Sequence, residues 1–250
     1  MPGKVSIIMP AYNCSKFIKE SIQSVQQQTY IDWELIIVND CSTDNTAEII
    51  DNLAKHDTRI LRLKNEKNLG AAASRNIAVQ VSTGKYIAFL DSDDIWVGTK
   101  LEQQIKFMED SDFSFTCTSY DKINERGENL GRVVQALNLN YEGLLKRCPG
   151  NSTVIYNAEA LGKFTIPSIQ KRNDYVMWLQ VIKKANELHG LNIVLGSHRI
   201  GMNSLSSNKI SLLKYHWIIY RKIENLTVLR SMYLVWFWIA KGVLKWIRSI

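Results

Sequence analysis

Cysteine is scarce in this sequence and never arranged for pairing. The four residues Cys14, Cys41, Cys117 and Cys148 include no CxxC pair. No disulfide framework is expected, and the chain suits a reducing cytosol. Long apolar runs are missing too. The longest, Met232 to Ala240, falls well short of the ~20 residues that cross a bilayer, and no apolar signal region opens the chain. Only 4 Pro and 13 Gly occur among 250 residues, with 46% apolar and 22% charged side chains. That composition excludes disordered, collagenous and low-complexity proteins. The length suits one α/β domain and is marginal for two.

Acids are nearly absent from the C-terminal stretch. Residues 209–250 hold eight of the 31 bases (Lys209, Lys214, Arg221, Lys222, Arg230, Lys241, Lys245, Arg248) and one of the 24 acids, Glu224. The remainder is balanced, so the whole net charge of +7 sits on this tail. A diffuse nucleic-acid surface is disfavoured, and a local anionic partner for the tail is favoured.

What is present in the first hundred residues is an alternation of strand and helix patterns. Apolar runs at Val5–Met9, Trp33–Val38, Ile60–Leu63 and Lys85–Leu90 read as strands. Between them lie helical patterns from Ser15, a candidate N-cap, to Gln27, through Ile49, Ile50 and Leu53, and from Ala71 to Val81. Helices of this length between strands imply βαβ crossovers and a mainly parallel sheet, whose ligands sit beyond the carboxyl ends of the strands. Three strands end in polar or turn-forming clusters: Pro10-Ala11-Tyr12-Asn13, Asn39-Asp40 and Asp91-Ser92-Asp93-Asp94. The second half is less regular. Strands are expected at Phe113–Ser119 and Thr153–Tyr156, a helix over Asp174–Glu187 and a short strand at Ile193–Leu195.

Three carboxylates in four residues repel one another unless a cation or a donor network offsets the charge. Hard oxygen ligands at this spacing suit Mg²⁺ or Mn²⁺ shared with a diphosphate. Equally, Asp93 or Asp94 can complement the dipole of the helix through Leu101 and Ile105. No GxGxxG follows the first strand, and neither GxxxxGK[ST] nor HExxH occurs. This disfavours a hydride-transferring Rossmann enzyme and a P-loop NTPase.

The series Val5-Ser6-Ile7-Ile8-Met9-Pro10-Ala11-Tyr12-Asn13, Ile37-Val38-Asn39-Asp40-Cys41-Ser42-Thr43-Asp44, Asn68-Leu69-Gly70-Ala71-Ala72-Ala73-Ser74-Arg75-Asn76 and Phe89-Leu90-Asp91-Ser92-Asp93-Asp94 resembles glycosyltransferase family 2 over about residues 4–205. The resemblance implies a GT-A fold, a Rossmann-like sheet flanked by helices, and an inverting enzyme using a nucleotide-sugar donor. It would place Pro10, Ala11 and Tyr12 around uridine, with Asp40 accepting from uracil. Gly70 would allow close backbone approach, and Arg75 would lie near the base or diphosphate. Asp91 and Ser92 would face the ribose and the metal's water shell, with Asp93 ligating Mn²⁺ or Mg²⁺ directly. Tyr12 could instead simply pack, and Arg75 could be a surface helix residue. The family's general base is often in a Glu-Asp pair at a helix start; here Asn173 replaces the first acid and Asp174 remains, with helix N-capping as its alternative. The segment His198–Ser206 resembles a mobile segment over the diphosphate, so Arg199 could contact phosphate, while His198 reads as structural. The Gln-x-x-Arg-Trp motif of processive relatives is absent, which favours one sugar per acceptor.

In the tail, Arg230, Lys241, Lys245 and Arg248 share one helical face. Val228, Trp236, Trp238, Ile239, Val243, Trp246 and Ile247 lie on the other, with Leu234 and Phe237 intruding on the basic stripe. That pattern fits an interfacial helix on an anionic membrane surface; a helix packed on the catalytic body is the alternative. The expected organisation is a catalytic domain over 1–208, with a nucleotide-sugar half to about residue 95 and an acceptor half beyond it, then a helical tail over 209–250. The expected activity moves one hexose or N-acetylhexosamine from a UDP-sugar to a lipid-linked saccharide of an O-antigen or capsule, on the inner face of the membrane. A metal-dependent nucleotidyltransferase and a non-catalytic nucleotide-sugar-binding module are the rivals. No motif marks the acceptor contacts in residues 120–170.

Overall fold

Strands flanked on both faces by other elements need apolar side chains in both directions, which is why they read as continuous apolar runs. In the computed structural model, which describes residues 3–135, 138–167, 169–201 and 209–247, Val5, Ile7, Met9 and Ala11 of the first strand enter one core while Ile8 enters the other. The elements run β1 (Val5–Ala11), α1 (Ile18–Gln26), β2 (Trp33–Asn39), α2 (Thr46–Ala54), β3 (Ile60–Lys64), α3 (Ala71–Val81), β4 (Tyr86–Phe89), β5 (Ile95–Trp96) and α4 (Lys100–Asp110). Then come β6 (Phe115–Ile123), β7 (Asn129–Val133), β8 (Leu139–Asn140), α5 (Tyr141–Leu145), a 3-10 turn (Asn151–Thr153), β9 (Ile155–Asn157), α6 (Ala158–Leu161), α7 (Asn173–Ala185) and β10 (Glu187–Arg199). The tail forms α8 (Lys209–Ile218), a π-helical turn (Ile219–Ile223) and α9 (Val228–Ile247).

The sheet order is β3-β2-β1-β4-β9-β6-β10-β5, with β7 on β6 and β8 on β10. The β3-β2-β1-β4 half is parallel, as βαβ crossovers require. The other half is mixed: β9 runs antiparallel between β4 and β6, and β5 antiparallel to β10. Helices α1 and α4 cover one face through Ile22, Val25, Leu101 and Ile105; α3 and α7 cover the other through Ala78, Val176 and Trp178.

Several expectations shift. Ser15 does not cap α1; its N–H goes to Asp44 Oδ2 at 3.1 Å, and the helix starts at Ile18. Neither Asp93 nor Asp94 heads a helix, because β5 intervenes and α4 starts at Lys100 behind Thr99. The dipole alternative for the acidic cluster therefore fails. The strand expected at Ile193–Leu195 is the middle of the 13-residue β10. Two register shifts against β6, after Leu191 and after Val194, break its alternation and hid its length.

The tail packs on the body. Ile219, Tyr220, Leu226 and Leu234 are buried in the same core as α7. Tyr220 donates to the Leu145 carbonyl at 2.7 Å, Trp238 Nε1 donates to Tyr220 Oη at 3.0 Å, and Lys183 pairs with Glu224 at 2.7 Å. Leu234 does not intrude on a basic stripe; it belongs to the docked face. Trp238 also turns inward, not out with Trp236. Arg248 and the Met202–Ser206 part of the phosphate segment lie outside the described residues, as do the side chains of Lys245, Trp246 and Ile247.

Candidate active site

Strand β4 ends opposite Ile8 of β1, so β1 and β2 project beyond it and open a rim at their carboxyl ends. Pro10 pairs with Val38, and Asp40 N–H reaches the Ala11 carbonyl at 2.8 Å. Ala11 is buried, whereas Tyr12 is half exposed at the rim. Asn13 has φ 46° and accepts the Thr43 N–H at 2.8 Å, binding the two loops together.

Asp40 is almost wholly buried. Its Oδ1 accepts from Asn65 Nδ2 at 2.7 Å and Leu69 N–H at 2.8 Å, and its Oδ2 from Gly70 N–H at 2.7 Å. The carboxylate thus builds the wall formed by residues 65–70, and Oδ2 keeps one lone pair beyond these bonds. Gly70 has φ +85°, a conformation strained for other residues, and open space where a Cβ would sit. Lys64, Asn65, Glu66, Lys67 and Leu69 line a cavity of about 540 Å³ beside it.

The three acids after β4 have different surroundings. Asp91 Oδ1 accepts from Arg75 at 2.6 Å and from Asn151 Nδ2 at 2.8 Å, while its backbone N–H donates to Ser152 Oγ at 3.0 Å. Asp94 is fully buried. It accepts from Ser152 Oγ at 2.5 Å and Arg199 N–H at 2.9 Å, and lies 3.0 Å from His198 Nδ1. Burial works against protonated His198, but the Asp94 carboxylate, with Asp91 and Asp93 behind it, holds its pKa up at about 9. Ser92 offers its carbonyl to Ser21 Oγ at 3.0 Å.

Asp93 differs from both neighbours. Burial first, then the Asp94 and Asp91 charges, push its pKa up to about 7, with His198 opposing. No other described residue donates a hydrogen bond to its side chain. Among the described residues, no group of three or more His, Cys, Asp or Glu could hold a metal. The donors fit a divalent ion bound by one or two carboxylates and completed by phosphate oxygens and water. Asp93 is the carboxylate that such an ion would relieve.

Arg75 is buried, not a surface helix residue. Besides Asp91 it donates to Asn173 Oδ1 at 2.5 Å, leaving Nε as its one guanidinium nitrogen without a protein partner. It therefore ties the acidic cluster to the first residue of α7, beside Asp174. Arg172 precedes α7 at φ 62°, and no side-chain hydrogen bond caps the helix. Asp174 is half-buried, 4.0 Å from Cys148 Sγ. Asn173, which stands where an acid was expected, serves Arg75 as a neutral acceptor.

Arg199 does not lie free for phosphate. Its guanidinium donates to the Asp93 carbonyl at 2.9 Å and the Asn124 carbonyl at 3.1 Å, pairs with Glu20 at 2.7 Å and stacks 4.4 Å from the Phe17 ring. Its geometry anchors the Asp93 backbone. The sequence reading missed Asn151, Ser152, Asn65 and Glu20. Their partners lie 25 to 179 residues away, and short polar side chains in irregular segments carry no periodic signal.

Comparisons with known proteins address the family and the fold. Residues 6–166 match the family model "Glycosyl transferase family 2". The chain is 39% identical over 234 residues to the Escherichia coli UDP-Glc:alpha-D-GlcNAc-diphosphoundecaprenol beta-1,3-glucosyltransferase WfgD, covering 92% of this chain and 90% of that one. Among solved structures, it superposes on S. aureus TarS 1-349 in complex with UDP-GlcNAc with a TM-score of 0.75 at 20% identity, over 93% of this chain and 70% of that one. The mannosyltransferase PcManGT from Pyrobaculum calidifontis, in complex with GDP-Man and Mn²⁺, gives a TM-score of 0.69 at 14% identity, over 96% and 74%. Both likenesses concern the fold. With most of its length matched by the family model and by a full-length relative, the chain belongs to glycosyltransferase family 2.

Proposed function

We propose that this glycosyltransferase moves a single hexose or N-acetylhexosamine from a UDP-sugar to a lipid-linked saccharide, with inversion, during synthesis of a bacterial surface polysaccharide. The observation that carries this reading is the Arg75 bridge from Asp91 to Asn173. It fixes a metal-suited acidic cluster beside a half-buried carboxylate at a helix start, the two chemistries that glycosyl transfer needs. The donor and acceptor classes are supported by those in the WfgD name.

In this reading Pro10, Ala11, Tyr12 and Asp40 receive the uridine, and Gly70 leaves room beside it. Asp91 and Ser92 face the ribose. Asp93 would hold Mn²⁺ or Mg²⁺, with Asp91 reaching it through water, and the ion would supply positive charge to the departing diphosphate. Asp174 takes the proton from the acceptor hydroxyl as it attacks the anomeric carbon. Residues to about 95 supply the nucleotide side, and residues 96–208 the acceptor side. The tail over 209–250 meets the anionic inner face of the membrane.

The test pairs a panel of UDP-sugars with lipid-diphosphate saccharides, with Mn²⁺ or Mg²⁺ and with excess chelator. Expected are one preferred donor, release of UDP, loss of transfer in chelator, and no transfer by Asp93→Ala in a folded chain. Release of pyrophosphate would instead mark a nucleotidyltransferase. Binding without turnover would mark a non-catalytic module, and a fully active Asp93→Ala protein in chelator would remove the metal.

A further inference from the structure

Helix α9 is docked on one side and bare on the other. At 100° per residue, Ser231, Leu234 and Trp238 fall within about 60° of arc; the first two are buried, and Trp238 bonds to the body. On the opposite side Leu229, Met232, Trp236 and Val243 span a similar arc, with Tyr233 beside them. Leu229 is 81% and Trp236 63% exposed, so the helix presents an apolar stripe to solvent over residues 229–243, or ~21 Å. A stripe of this extent on a globular surface marks a contact with something apolar.

The sequence pattern assigned this role to Trp238 and to a face opposed by a separate basic stripe. Trp238 is instead docked on the body, while Trp236 and Val243 stay exposed. Arg230 is paired with Glu142, and Lys241 stands 5.1 Å from the Trp238 ring. Both lie on the flank toward the docked side, more than ~90° round the helix from Leu229, Met232, Trp236 and Val243. The base at the stripe's own edge is Lys146, 5.2 Å over the Tyr233 ring from α5's end. The bare face is therefore apolar at its centre and basic at one margin, through Lys146. Residues 225–250 contain no acid. Two copies pairing along this stripe would bring like charges together with no acid on either helix. An anionic lipid surface answers both features. No helix among the described residues is long and apolar enough to cross a membrane, so the contact is interfacial.

The docked side connects this surface to the candidate base. Arg172, two residues before Asp174, lies 5.2 Å over the Trp238 ring. We infer that the outer stripe of α9 inserts into the headgroup–acyl boundary of an anionic bilayer, while Trp238 and Arg172 hold the start of α7 at a fixed place above it. This rests on the reading of the acceptor as lipid-linked, and it names the face that makes the contact.

The test uses the full chain and vesicles of phosphatidylcholine containing one-third phosphatidylglycerol. The unaltered protein should co-sediment, and the double variant Leu229→Glu with Trp236→Glu should bind at least ~10-fold more weakly. Transfer to a short-chain, water-soluble acceptor should persist in the variant. The milder Trp236→Ser, which leaves Leu229 in place, should weaken binding in the same direction if the double variant misfolds. No vesicle binding by the unaltered protein, or undiminished binding by the variants, overturns the inference. A dimer that the variants dissociate, without vesicle binding, would assign the stripe to a second copy. Loss of transfer to every acceptor by the unaltered protein would instead defeat the functional reading, whatever the vesicles show.

Discussion

Ser152 shows how much one hydroxyl can hold at the rim. It donates to buried Asp94 and accepts the Asp91 N–H, so Ser152→Ala leaves a buried carboxylate one donor short. The cost expected is ~1–3 kcal/mol, read as a lower urea midpoint, and an unchanged midpoint would contradict it. His198 sets a pH dependence on the same acid. An unfolded histidine titrates near 6.5, and this one is held up at about 9 by Asp94. The folded state thus holds the proton more tightly. The stabilisation is complete below pH ~6.5 and disappears as pH rises through about 9. Asp93 acts in a lower window, from 3.8 to about 7. Buried Lys100, pushed down to about 7, works in the opposite direction over the same range, so the test is a difference. In urea melts of the metal-free chain the advantage of the unaltered protein over His198→Asn should shrink between pH 6.5 and 9.5, and a constant difference would refute the pairing.

Among the elements, the tail is the one whose sequence reading changed most. Tyr220 is fully buried, bonded to Leu145 and near the Tyr175 hydroxyl. Tyr220→Ala should cost ~3–5 kcal/mol, as for other large buried aromatics, and Tyr220→Phe only ~1 kcal/mol. A tail that could be emptied of Tyr220 at no cost in urea would be an appendage, not part of the core. The parallel half of the sheet was legible because both-face burial writes continuous apolar runs, and its crossover helices carry their own period. The apolar period over Ala71–Val81 has the same bounds as α3. The mixed half was not. β5 has two residues, β9 three, and the bulges of β10 spoil its alternation. The acids were legible as a cluster, but their division of labour was not: Asn151, Ser152 and Arg199 reach them from remote segments, and one sequence does not show which side chains meet. The tail's exposed face was half legible, since amphipathicity gives two faces without saying which one the body takes.

Across the whole molecule, the rim draws on both parts of the chain. The β2 and β4 ends supply Asp40, Asp91 and Asp93, while the 3-10 turn, α7 and β10 supply Ser152, Asn173 and Arg199. Arg75 crosses between them. In the proposed function, donor binding and proton removal fall on different elements, so the two should separate experimentally. The central measurement is steady-state transfer by Asp174→Asn beside its equilibrium affinity for UDP-sugar and metal. Transfer should fall by ~10²–10⁴, as when a positioned general base is lost, with donor affinity essentially unchanged. Collapsed donor affinity with surviving turnover would contradict the account and make Asp174 a donor ligand or a structural residue of α7.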